Sequence, residues 1–125
     1  NVGRQYARVC GDCNPIHISS LLARLFGFRR AIVHGMWSAA RCLAALPELA
    51  GHPLRCDLVF KGPVFVGSTV TLKARCGESS RRFDLYAEGN PRPCLCGCVS
   101  TAHAGATLVA AEPRGEACAP VARLA

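Results

Sequence analysis

The stretch GMWSAARCLAALPELAG, residues 35–51, decides how the rest of the chain is read. Between Gly35 and Leu46 only Ser38 and Arg41 are polar, and a helix apolar nearly all round is one that other parts of the chain must enclose. Pro47 and Gly51 close it. What encloses it has to be found in the flanking sequence.

On the C-terminal side the period changes from helical to two. In RCDLVFK, Cys56, Leu58 and Phe60 alternate with Arg55, Asp57 and Lys61, and in VTLKARC, Val70, Leu72, Ala74 and Cys76 alternate with Thr71, Lys73 and Arg75. RFDLYAE repeats the pattern with Phe83, Leu85 and Ala87 on one face. Alternation of this kind marks half-buried strands. Gly89-Asn90-Pro91 turns the chain into a last strand near residues 94–103, so the strands are joined by short turns and are expected to be antiparallel. A sheet of one-sided strands wrapped around one long apolar helix is an α+β architecture. On the N-terminal side SSLLARLF, residues 19–26, reads as a short helix with a serine N-cap and a stop at Gly27. The tail 106–125 shows neither period and is read as a loose extension of a domain spanning 1–105.

The 125 residues fit one domain, and with half of them hydrophobic the chain can bury a core without staples. No run approaches the roughly 18 apolar residues of a membrane span, and no export signal stands out, so the expected location is the cytoplasm. The net charge of +7 comes from 15 basic residues, 13 of them arginine, against 8 acidic ones. The arginines are scattered in ones and twos, such as Arg29-Arg30, without an aromatic ladder, which argues against a nucleic-acid partner and leaves a solvated surface or a phosphate-bearing substrate handle. The nine cysteines are read mainly as reduced thiols. In CLCGC, Cys94, Cys96 and Cys98 share one strand face and are expected to be exposed if Leu95 and Val99 are buried.

VCGDCNPIH, residues 9–17, admits two readings. Cys10 and Cys13 form a C-x-x-C with His17 close behind, which fits a redox dithiol or half a zinc site; the latter needs two more ligands at definite spacing. Alternatively Gly11-Asp12, the turn Asn14-Pro15 and His17 form one unit. The longer run from Tyr6 to Met36 favours the second reading, because it resembles the signature of MaoC-like dehydratases, which include (R)-specific enoyl-CoA hydratases. The matching residues are Tyr6, Gly11, Asp12, Asn14, Pro15, Ile16, His17, Gly27, Phe28, His34, Gly35 and Met36, with FKGPVFVGSTV, residues 60–70, also similar. Cys10 and Cys13 then stand as substitutions within that motif, and no metal site is expected.

The resemblance implies a hot-dog fold. Members have a strand before Tyr6, and five residues are too few for that strand and its lead-in, so part of the fold is expected to be absent. It also implies reversible hydration of trans-2-enoyl thioesters to (3R)-3-hydroxyacyl thioesters. No cofactor is needed beyond the CoA or acyl-carrier-protein phosphopantetheine that carries the substrate. A homodimer or a second hot-dog repeat of a longer chain is the implied partner. A hot-dog thioesterase and an inactive assembly domain are the alternatives; the intact Asp-x-Asn-Pro-x-His argues against the former.

The residues support the chemistry independently. Hydration requires a base for water, an acid for the α carbon and a donor to the thioester oxygen. Asp12 and His17, brought together by the Asn-Pro turn, suit the shared water, with Asn14 orienting Asp12 or capping the turn. Gly35, at the start of the apolar helix, offers a backbone N–H at the positive end of the dipole. His34 is read as a structural hydrogen-bonding residue supporting the site.

Overall fold

A computed structural model describes residues 2–46 and 54–101, together with the backbone of 117–118. Four helices come first: α1 (Val2–Cys10), α2 (Pro15–Ile18), α3 (Ser20–Leu25) and α4 (Gly35–Ala44). Strands follow at β1 (Leu54–Phe60), β2 (Val70–Cys76), β3 (Ser80–Ala87), β4 (Leu95–Thr101) and the two-residue β5 (Ala117–Cys118). The residues proposed to close the apolar helix, Pro47 and Gly51, lie outside the described residues, as does the tail apart from β5.

The strands form one antiparallel sheet in the order β1-β4-β3-β2-β5. β2, β3 and β4 make the expected meander; Gly89 takes φ +75 in the second turn, and the Asn90 side chain accepts from the Arg92 N–H at 3.0 Å. β1 departs from it. It pairs with β4 and not with β2, and the segment between β1 and β2 crosses the sheet end, where Phe65 bridges to Ile32. Alternation identifies the face of a strand but carries no information on its neighbour, so the crossover was not readable from period alone.

One sheet face carries the core. Ala39 and Cys42 of α4 pack with Val70, Leu72, Ala74, Phe83, Leu85, Leu95 and Val99. Phe83 lies across Gly97 of the neighbouring strand: a Cβ there would come within 2.2 Å of the ring. Glycine at this position lets an aromatic ring lie flat between sheet and helix. Burial of the Cys42 thiol pushes its pKa from 9.0 to about 11.

Two expectations need correction. The helix is apolar nearly all round, yet only Ser38, Ala39 and Cys42 of α4 are buried, while Met36 is 56% exposed and Leu43 is also open. Among the described residues the sheet covers one side of the helix only. The cysteines of CLCGC also do not behave as a set: Cys94 is buried just before β4, its carbonyl accepting from the Lys61 and Gly62 N–H groups, whereas Cys96 and Cys98 are half-buried on the face away from Leu95 and Val99. Strand alternation begins at Leu95, and Cys94 belongs to the connection before it.

Candidate active site

Local turn chemistry builds the site. The Asp12 carboxylate accepts from the Asn14 N–H at 3.1 Å, and the Asn14 side chain accepts from the Ile16 N–H at 3.2 Å as the N-cap of α2. Pro15 follows at the first helical position, where its missing N–H costs nothing. Asn14 therefore both orients Asp12, through its backbone, and caps the turn, through its side chain. The result places His17 one turn into α2 and leaves Asp12 at the edge of the loop, half exposed.

A second segment fixes the imidazole. The Ile32 N–H donates to the Ile16 carbonyl at 3.0 Å, and the Ile32 carbonyl accepts from Nδ1 of His17 at 2.9 Å. A carbonyl can only accept, so Nδ1 carries the proton, and Nε2 of neutral His17 presents its lone pair. That Nε2 lies 3.6 Å from Oδ2 of Asp12. The separation is too long for a direct hydrogen bond but suits two acceptors that receive the two protons of one water.

His34 completes the group. Its Nε2 lies 3.0 Å from the Asp12 carbonyl, which makes Nε2 the donor, and 3.7 Å from Asp12 Oδ2. Its ring stacks on His17 with centroids 3.8 Å apart and an interplanar angle of 25°, and Tyr6 covers it at 5.1 Å. His17 and His34 are 8% and 4% exposed. Nδ1 of His34 is buried with no hydrogen-bond partner among the described residues. The aromatic contact of Tyr6 with His34 could not be read from the sequence, because residues 28 apart in the chain meet only through tertiary packing, with α1 lying against α2 and reaching the residue before α4.

Gly35 opens α4 directly after His34, and its N–H has no partner among the described residues. The Phe60 ring occupies the space a Cβ would take, with the nearest atom at 2.9 Å. Cys10 and Cys13 are exposed thiols; Cys10 Sγ accepts from the Asp12 N–H at 3.4 Å. Among the described residues neither joins a cluster of metal-ligating groups.

Asp12, His17 and His34 do form such a cluster, their ligand atoms lying within 4.8 Å of one another. The distances alone would suit a divalent cation. The ring geometry does not: two stacked imidazoles direct their in-plane lone pairs side by side and cannot both point at one ion, and Nε2 of His34 already donates to a carbonyl. Water fits the group better than a metal.

The sequence model of the family described as "MaoC like domain" matches residues 3–90. The chain is 40% identical over 90 residues to the 3-hydroxyacyl-thioester dehydratase X of Mycobacterium tuberculosis, a match covering 70% of this chain and 32% of that protein. It spans at most 52% of the length of any of the curated relatives it matches. Among solved structures it resembles HtdX of Mycobacterium tuberculosis, with 36% identity and a TM-score of 0.70 over 78% of this chain and 42% of that one. It also resembles the (R)-hydratase of A. caviae involved in PHA biosynthesis, with 27% identity and a TM-score of 0.63 over 78% of this chain and 83% of that one. The architecture is thus the hot-dog fold, with antiparallel strands laid against one principal helix.

Proposed function

Because this chain belongs to the MaoC-like domain family, we propose that it carries out reversible hydration of trans-2-enoyl thioesters to (3R)-3-hydroxyacyl thioesters, with the acyl group on CoA or on carrier-protein phosphopantetheine. The observation that carries the reading is the Asp12–His17 pair, 3.6 Å apart, with the His17 tautomer fixed by the Ile32 carbonyl. The stereochemistry and the thioester come from the family.

The geometry supports the following course. A single water hydrogen-bonds through one O–H to Asp12 Oδ2 and through its other O–H to His17 Nε2, which leaves an oxygen lone pair facing the β carbon. As the C–O bond forms, Nε2 takes the proton, and the resulting imidazolium is held between the Ile32 carbonyl and the Asp12 carboxylate. The electron pair of the double bond moves toward the thioester oxygen, which the Gly35 N–H at the start of α4 would stabilise. The α carbon then takes the proton from Nε2, so water is added across the bond and the pair returns to its starting state. Asp12→Asn and His17→Ala are each expected to lower crotonyl-CoA hydration at least ~100-fold, read as loss of the enoyl absorbance, with the fold retained. Near-parental rates in either variant would overturn the shared-water assignment.

A second hot-dog unit, from a copy of this chain or from another repeat, is part of the proposal. Leu21, Leu25 and Phe26 around α3, Met36 and Leu43 on α4, and Leu54, Val59 and Phe60 on the edge strand β1 are all open to solvent. An edge strand beside apolar surface invites pairing.

A further inference from the structure

We propose that Arg29 and Arg30, gathered on the ring of Phe65 beside Ser68, form a subsite for the linked phosphates of a CoA-borne substrate. The inference rests on the acyl-thioester reading above and assigns the part of the substrate remote from the chemistry. The guanidinium carbons of Arg29 and Arg30 lie 5.1 and 5.6 Å from the centre of the Phe65 ring. Arg30 also donates from Nη2 to the Ser68 hydroxyl at 3.2 Å, and that hydroxyl donates to the Phe65 carbonyl at 2.8 Å. Nε of Arg24 donates to the Arg29 carbonyl at 3.3 Å, which brings a third guanidinium to the same loop.

Nothing among the described residues neutralises this group. The ion pairs found there are those of Asp12 with His17 and His34 and of Arg55 with Asp57. Two guanidinium groups on one ring repel each other, and contact with the ring face uses none of their N–H donors, of which Arg30 spends one on Ser68. Paired guanidinium groups without a carboxylate are suited to an anion with two linked charges, because guanidinium binds phosphate oxygens in a bidentate manner.

Position supports the assignment. Phe65 bridges to Ile32, the Val33 N–H donates to the Val64 carbonyl at 2.7 Å, and the Val66 N–H donates to the Ala31 carbonyl at 2.9 Å. The loop that carries the phenyl ring is thereby locked to the segment whose Ile32 carbonyl orients His17. Arg30 stands two residues before that carbonyl, at most about 7 Å away along the chain between Cα atoms. The pantetheine arm separates the thioester of CoA from its diphosphate, so a phosphate subsite belongs at the far end of that arm and outside the reacting pair, on the same stretch of chain that orients His17 but on side chains that take no part in the chemistry.

Calorimetric titration of the chain with CoA, dephospho-CoA, 4′-phosphopantetheine and pantetheine tests the proposal without requiring turnover. CoA and dephospho-CoA are expected to bind at least ~10-fold more tightly than pantetheine, with a preference that weakens as salt rises. Arg29→Ala/Arg30→Ala should abolish that preference, and Arg29→Lys/Arg30→Lys should keep part of it. Arg29→Gln alone serves if the double variant does not fold, since the Arg29 side chain makes no hydrogen bond among the described residues. Absence of CoA binding, equal binding of CoA and pantetheine, or an unchanged preference in the variants overturns the subsite. Binding of 4′-phosphopantetheine as tight as that of CoA overturns the diphosphate assignment in favour of a carrier-protein handle. A chain that prefers CoA through these arginines yet hydrates no enoyl thioester would instead overturn the hydration reading alone.

Discussion

His34 shows how much at this site rests on a single ring. Its Nε2–H holds the main-chain carbonyl of Asp12, and its face supports His17, so it touches both proposed reacting residues without needing to touch substrate. His34→Ala should therefore lower kcat ~10-fold or more and leave KM near the parental value, whereas His34→Gln, which keeps a side-chain donor, should recover part of the loss. An Ala variant with unchanged kcat would show that the Asp12 loop holds its place unaided. The cysteines divide by burial. Cys10 and Cys13 should react first with a thiol reagent, and Cys42 and Cys94 only on unfolding. Because burial holds the Cys42 proton up to about pH 11 while the unfolded chain releases it near 9.0, unfolding liberates a proton between these values, and stability falls as pH rises through that window. Cys42→Ala should flatten the decline in an alkaline series of denaturant melts.

The elements owe their limits to signals that are local and therefore readable. Ser19 caps α3 by accepting from the Leu22 N–H, Gly27 ends it with φ +83, and Asn14-Pro15 starts α2. The alternating strands formed where the alternation predicted them, and in β2 and β3 the inner face runs through Leu72, Phe83 and Leu85 as the pattern required; in β4 the structure turns Leu95 and Val99 inward, whereas in β1 the alternation did not mark a buried face, since Cys56 and Phe60 are exposed. Helix α1 carries local signals as well, although the sequence reading misses them: Val2, Tyr6 and Cys10 recur at helical spacing with Gly3 and Ala7 beside them, and Gly11, with φ +76, closes the helix by donating its N–H to the Ala7 carbonyl. Within the sheet the tightest constraint is at Gly97. Gly97→Ala would drive a methyl group into the buried Phe83 ring and is expected to destabilise the fold by roughly 1–3 kcal/mol, the usual cost of overpacking, measured as a shift in the denaturant midpoint at constant m. A midpoint equal to the parent's would mean that the ring can move aside without cost.

At the scale of the whole molecule, one sheet face covers one side of α4, and among the described residues nothing covers Met36 and Leu43 on the helix or pairs with the β1 edge. Sedimentation is expected to show self-association of the chain, or weak activity when it is alone; a stable monomer that hydrates crotonyl-CoA at an ordinary enzymatic rate would overturn the need for a second unit. The sequence by itself determined the two periods, the turns, and the Asp-x-Asn-Pro-x-His unit, because each is a short-range pattern in which neighbouring residues fix backbone angles or faces. Only the tertiary structure decided that β1 lies beside β4, that the sheet meets α4 through Ala39 and Cys42, and that His34, with Tyr6 against it, and the Ile32 carbonyl converge on His17. Those facts depend on contacts between residues far apart in the chain, and such contacts are set by which surfaces pack together, a property that no local period encodes.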